Sequence, residues 1–235
     1  MKLILLLFIG LISSICDAQC DTIVLKWNSG QIRSKGCQIN NLKEGYWKYF
    51  QDFPSSPLDS AGYYKNGKKD AKWEYFNSGA NNEVITEGEY RNDIKIGLWR
   101  ELGWIGIYVN GKKEGKWICY TAVDSIHLDE INYTNGKANG LNKCYYNNGQ
   151  LRFTRNFRND LAEGDFLSYS RNGTLMESGN YKKGKQEGLW YSFDVQGMPI
   201  SKGKYKNDLK QGTWIYFDEN GKVEKTEKYK NGILI

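Results

Sequence analysis

The sequence predicts an all-β chain, an elongated single-layer antiparallel meander of β-hairpin repeats. Three observations carry that expectation. A motif seen at Gly203, Tyr205, Asn207-Asp208, Gly212 and Trp214 recurs along nearly the whole chain. Each copy holds two turn signals. The composition, 14% aromatic with 26 Gly and only 3 Pro in 235 residues, suits short twisted strands and tight turns and opposes both disorder and helical bundles.

The chain opens on a segment of a different kind. Lys2 is a short positive region, and Leu3 to Ile15 form an apolar run of signal-peptide length, too short to span a bilayer. Cys16 and Ala18 are the small residues a signal peptidase tests, so residues 1–18 are expected to be a signal peptide and Gln19 the mature start. Acylation of Cys20 as an outer-membrane lipoprotein is the weaker reading, because Asp17 stands where a lipobox needs an aliphatic residue. Loss of Lys2 and Asp17 leaves the formal charge of +6 unchanged. That mild basicity is compatible with anionic lipid or polysaccharide, is explained equally by solubility, and export makes nucleic acid the least expected partner.

Residues 19–35 read as an N-terminal half repeat, a hairpin in which Ile23, Leu25 and Trp27 alternate with polar or smaller residues around an Asn28-Ser29-Gly30 turn. Cys20 and Cys37 then lie at its open end, nearly facing, as a possible disulfide. From residue 36 to 235 the repeat array runs in register. The Trp position falls at Trp47, Trp73, Trp99, Trp117, Asn142, Phe166, Trp190 and Trp214, and an anchor lies nine residues before each, at Gln38, Tyr64, Tyr90, Tyr108, Tyr133, Phe157, Tyr181 and Tyr205.

One turn signal follows the anchor, as in Asn66-Gly67, Asn110-Gly111 and Asn92-Asp93. The other follows the Trp, as in Ser78-Gly79, Asn148-Gly149 and Asn220-Gly221. Asn-Gly permits positive φ at both centres of a type I′ turn, whose twist matches that of strands. Equivalent residues of neighbouring units are two strands, about 9.5 Å, apart, so the rings are expected to form ladders with intervening residues between their rungs. Cys119 and Cys144 occupy one slot in adjacent units and are therefore expected not to pair.

Three stretches break the repeat and are the expected interaction sites. Phe53 to Pro57 lengthens one connection. Between Trp99 and Trp117 the repeat shortens to 18 residues, and the dense apolar narrowing at Leu102, Trp104 and Ile105 reads either as a binding notch or, the favoured reading, as a deletion healed by a tighter turn. His127, the only histidine, lies in an expected loop, Ile126 to Glu130. Lysines beside the first turns, including Lys68, Lys69, Lys112, Lys113, Lys182 and Lys183, are expected to form a solvated basic fringe along one edge. Glu44, Glu114, Glu163 and Glu187 read as charge partners for lysines across the turns. Lys222, Lys225, Lys228 and Lys230 guard the last strand, and Ile233-Leu234-Ile235 beyond them are expected to fold back or to pair with another molecule.

With Gly106 to Trp117 and Gly179 to Trp214 written out, the chain resembles MORN repeat proteins, in the bacterial variant often labelled as antitoxin components. The resemblance implies an elongated sheet of hairpins used for protein or lipid contact, with no chemistry common to its members. A single histidine supplies neither a zinc set nor an HExxH motif, and no catalytic, cofactor or metal signature is present. The expectation is an exported, non-enzymatic interaction module or scaffold at the cell envelope, periplasmic or secreted. The alternatives are a surface for anionic lipid or cell-wall glycan, or an antitoxin-like role by family label only.

Overall fold

In the computed structural model the described residues are 20–77, 82–120 and 127–235. The expected signal segment, the expected turn at Ser78-Gly79 and residues 121–126 lie outside them. The described residues form one open antiparallel sheet of 20 strands, with no helix among them. The strands are β1 Asp21–Lys26, β2 Ile32–Ile39, β3 Leu42–Phe50, β4 Leu58–Lys65, β5 Lys68–Phe76, β6 Val84–Arg91 and β7 Ile94–Glu101. They continue as β8 Trp104–Val109, β9 Lys112–Tyr120, β10 His127–Thr134, β11 Lys137–Ala138, β12 Gly140–Tyr145 and β13 Leu151–Arg158. The last are β14 Leu161–Tyr169, β15 Leu175–Lys182, β16 Lys185–Phe193, β17 Pro199–Lys206, β18 Leu209–Phe217, β19 Val223–Lys230 and β20 Ile233–Leu234. Each pairs with its neighbour in sequence, except that β11 and β12 are two pieces of one strand, interrupted at Asn139, and both pair with β10.

The two turn classes differ. Every first turn has positive φ at both centres, as at Asn66 (51°) and Gly67 (78°), the backbone of a type I′ hairpin. The described second turns are not of this type, except for the shortened Leu102-Gly103 link between β7 and β8. In Asp218 to Lys222 only Gly221 is left-handed (φ 74°), the Gly221 amide donates to the Asp218 carbonyl at 3.0 Å, and the Asp218 carboxylate accepts from the amides of Asn220 and Lys222. A side chain that caps the turn makes the wider connection possible. The chain's second turns thus widen one edge of the sheet while the first keep the other tight.

A one-layer sheet has no second layer to bury its face, so the core is a row of side chains on the sheet itself. Trp47, Trp73, Trp99 and Trp117 are at most 1% exposed, and Phe166, Trp190 and Trp214 are also buried. The reason for such burial lies eleven residues upstream. A Cβ placed on Gly36, Gly62, Gly88, Gly106, Gly179 or Gly203 would stand 2.1–2.3 Å from the ring of the Trp eleven residues later. The indole lies flat over the bare backbone and donates from Nε1 to the carbonyl ten residues before it, as from Trp73 to Tyr63 at 2.9 Å. Where this glycine is replaced, by Ile131 and Arg155, the Trp position is Asn142 and Phe166. Six tryptophans have six glycines, and the two copies without the one lack the other.

The rings form one ladder rather than two. Tyr64, Trp73, Tyr90, Trp99, Tyr108, Trp117 and Tyr133 follow one another edge to face at 5.1–6.3 Å. Anchor and Trp alternate as rungs, with each ring itself filling the gap expected between ladders, because the edge of one aromatic is attracted to the face of the next. The ladder stops at Asn142 and resumes from Phe153 through Phe166, Tyr181, Trp190, Tyr205 and Trp214.

At the C-terminus Ile233 and Leu234 pair back on Lys230 and Tyr229, so β20 stands beside the lysine-bearing β19 as the outer strand. At the other end Cys20 and Cys37 form a disulfide with Cα atoms 5.6 Å apart, joining the start of β1 to β2.

Candidate functional site

The lysine four residues before five of the six repeat tryptophans is the first site residue that the fold repositions. Lys43, Lys69, Lys95, Lys113 and Lys210 turn inward and place their ammonium groups 3.9–4.8 Å from the centroid of the indole four residues on. A second ring closes the box: Tyr64 over Lys43, Tyr90 over Lys69, Tyr108 over Lys95, Tyr133 over Lys113 and Tyr229 over Lys210, at 4.9–5.5 Å. Lys43, Lys69 and Lys210 also donate to the hydroxyls of Tyr49, Tyr75 and Tyr216 at 2.6–2.9 Å. The expected fringe is therefore split. Lys112, Lys182 and Lys183 are exposed, whereas Lys69 and Lys113 are structural cations held over aromatic faces, an arrangement worth about 0.5–2 kcal/mol each. Burial, with Arg33 nearby, lowers the Lys43 pKa, and burial also lowers that of Lys69.

The acidic residues are corrected as well. Glu44, Glu114, Glu163 and Glu187 accept from the backbone amides of Asn66, Asn135, Lys183 and Asn207, at the first turn of the next unit, at 2.7–3.1 Å. A carboxylate three residues before its ladder ring thus satisfies an amide that a tight turn leaves free. Lysines across the turn are not their partners.

At the shortened repeat, β7 and β8 are joined by Leu102 and Gly103, both left-handed, and pair without the register shift that marks the other second-turn hairpins. Leu102 is 73% exposed, while Trp104 and Ile105 are half-buried on adjacent positions of β8. A different apolar group collects on the face away from the tryptophans. Leu98 pairs with Ile107, and Ile105 pairs with both Arg100 and Ile118, which puts the four aliphatic residues on one face. Leu98 and Ile107 are 65% and 49% exposed. Beside them a cavity of about 230 Å³ is lined by Leu98, Ile105 and Gly88 together with Lys72, Glu87 and Arg100. Glu87 bridges Lys72 at 3.1 Å and Arg100 at 3.3 Å, so the apolar patch has a polar rim. Residue alternation around Trp99 could have indicated Leu98 and Ile107, but only the register fixes that they meet.

The remaining expected site residues stay apart from this patch. Phe53 is 54% exposed in the 51–57 connection, which is tied to the first hairpin through hydrogen bonds from Ser29 to Asp52 and from Ser56 to Gln31. His127 does not lie in a loop: residues 127–130 belong to β10, where His127 pairs with Tyr120. The register of β10 sets Asp129 opposite Cys119 on one side and Cys144 on the other. Both cysteines are free. Burial first, and then the Asp129 carboxyl, raises both thiols, Cys144 to about 11, which keeps them protonated and unreactive at neutral pH. Among the described residues no group of three or more His, Cys, Asp and Glu could hold a metal ion.

The fold and these surfaces define a class, an open single-layer sheet of β-hairpin repeats with an aromatic face and a partly aliphatic reverse. Comparison with known families is more specific. Residues 138–159, 162–183 and 210–231 match the family model described as MORN repeat variant. Each matched segment runs through a second turn and its flanking strands and ends at the first residue of the next first turn, so the match reports the hairpin unit itself, and it carries no antitoxin role. No curated protein matches the chain.

Proposed function

We propose that the protein is an exported, non-enzymatic scaffold that binds another protein at the cell envelope, with the reverse face of β7–β9 as the contact. The observation that carries this reading is the aliphatic patch of Leu98, Ile105, Ile107 and Ile118, rimmed by the Lys72–Glu87–Arg100 ion pairs and set where the repeat is shortened. Apolar centre and charged rim together resemble the anatomy of protein interfaces. The apolar run of residues 3–15 and the Cys20–Cys37 disulfide support export to an oxidising compartment. Anionic lipid or cell-wall glycan is the alternative occupant of the outer surface, supported by exposed Lys112, Lys182 and Lys183 at one edge.

The test compares the full-length protein with a Leu98→Asp, Ile107→Asp variant, both recovered after crosslinking in the envelope fraction. The expected result is a specific crosslinked protein with the parent chain and at least a tenfold loss with the variant, the tryptophan fluorescence of the two being equal. Equal recovery from both overturns the assignment of this face. Salt-sensitive pelleting of the protein with anionic liposomes or purified cell wall, without a crosslinked protein, favours the alternative.

A further inference from the structure

The aromatic boxes follow a rule with one informative exception. Five of the eight units hold a lysine in the box. In a sixth, where Ala162 replaces the lysine, the Arg155 guanidinium occupies the same space, 5.1 Å from the Phe166 centroid and 5.0 Å from that of Tyr181. In a seventh, Ala138 replaces the lysine and Asn142 the indole, so the box itself is missing. The eighth keeps both rings, Trp190 and Tyr205, edge to face at 5.9 Å, but has Gln186 in place of the lysine and Ser192 in place of the tyrosine hydroxyl that accepts from it. Among the described residues no cation stands over Trp190 or Tyr205, and the two smaller side chains leave a cavity of about 170 Å³ against those rings.

We propose that this cavity is a binding site for an organic ammonium group, a lysyl amine or a methylated ammonium presented from outside the chain. Its walls are the faces of Trp190 and Tyr205, which attract a cation through their ring quadrupoles. Glu177, opposite Ser192 on the neighbouring strand, adds a carboxylate at the rim. Lys210 also lines the cavity, and its charge opposes a second cation. The array shows that such spacing is tolerated, since Lys43, Lys69, Lys95 and Lys113 fill boxes in four successive units. The backbone of the site is that of an occupied one. The Gln186 amide donates to Asp208 and its carbonyl accepts from the Asp208 amide, at 2.6 and 3.1 Å, just as Lys69 does with Asp93 at 2.7 and 2.9 Å. The site is independent of the aliphatic patch and does not rest on the scaffold reading.

The experiment is titration of the full chain, labelled with ¹⁵N at the indole nitrogens, with choline and separately with N-acetyl-lysine amide, and with uncharged 3,3-dimethylbutanol as the isosteric control. The indole resonances are assigned by single Trp→Phe replacements. Saturable shifts confined to Trp190 and Trp214 are expected with at least one ammonium and not with the alcohol. Tighter binding of choline points to methylated headgroups, and tighter binding of the lysine derivative to a protein side chain. Gln186→Lys places a resident lysine on the same backbone and is expected to weaken binding at least tenfold, whereas Gln186→Ala retains it. Equal response of Trp47, Trp73, Trp99 and Trp117, equal binding of the alcohol, or an unaltered response in Gln186→Lys overturns the proposal.

Discussion

Two recurring glycines of the repeat look alike in sequence and serve unlike purposes. Gly62 has an ordinary backbone, but an added Cβ would meet the Trp73 ring at 2.3 Å. Gly115 has open space around it and φ of +67°. Gly62→Ala must tilt a fully buried indole off its carbonyl partner, and a loss of roughly 3 kcal/mol is expected. For Gly115→Ala only the left-handed backbone is penalised, at about 1–2 kcal/mol. Ala71 occupies the slot of Gly115 in β5 and already holds φ of +58°. Ala71→Gly is therefore expected to stabilise the chain by about 0.5–1 kcal/mol after the larger unfolded-state entropy of glycine is subtracted. Urea unfolding of the three variants measures all of these, and a destabilising Ala71→Gly would contradict the conformational account. The recurrence of glycine was legible in the sequence. Which glycine gives room and which gives φ was not, because a one-letter code records neither the neighbour across the sheet nor the dihedral.

At the scale of the element, β7 uses a charge where β3, β5 and β18 use a phenol. Glu101 stands in the slot of Tyr49 and Tyr75, forms an ion pair with Lys95, lies 3.5 Å from Lys113, and accepts from the Tyr108 hydroxyl at 3.1 Å. Burial alone would raise its pKa. The hydrogen bond from Lys95 and the charges of Lys95 and Lys113 outweigh it, so the pKa is lowered from 4.5. A carboxylate depressed in the folded state contributes stability above its unfolded pKa and loses it as pH falls through the folded one. Glu101→Gln is therefore expected to destabilise the protein by about 1–3 kcal/mol at pH 7, since two half-buried ammoniums lose their partner, and by less as the solution is taken below pH 4.5. Thermal melts of the two proteins across that interval check it, and a constant difference between them would reject the ionic role. The shortened connection was visible in the sequence. The clamp was not, since Lys95, Glu101, Tyr108 and Lys113 are brought together by the pairing of three strands.

Taken whole, the molecule is one aromatic ladder in two segments, interrupted at a weak unit. The break at Ile131 and Asn142 separates Trp47 to Tyr133 from Phe153 to Trp214. In a sheet where each unit touches only its neighbours, stability is transmitted unit by unit, and a defective interface divides the cooperative block. Amide exchange is expected to show two protection levels, one on each side of residue 142. Asn142→Trp alone is expected to destabilise by about 1–3 kcal/mol, because the indole meets Ile131 instead of a glycine. With Ile131→Gly added, the ladder closes, the pair couples favourably, and the two levels merge. Simple additivity of the two substitutions would show that the pairing of glycine with tryptophan is not a packing rule.

The sequence by itself determined the all-β class, the hairpin unit, the register of the repeat, its breaks and the positive-φ first turns, because each is a local property of a short motif repeated many times. Only the tertiary structure decided which faces meet. It turned the lysines inward and joined two expected ladders into one. It moved His127 from a loop into β10, and it set Gln186 beneath two rings without a cation. Those outcomes depend on residues of different strands that pairing makes neighbours, and a pattern read along one strand does not contain them.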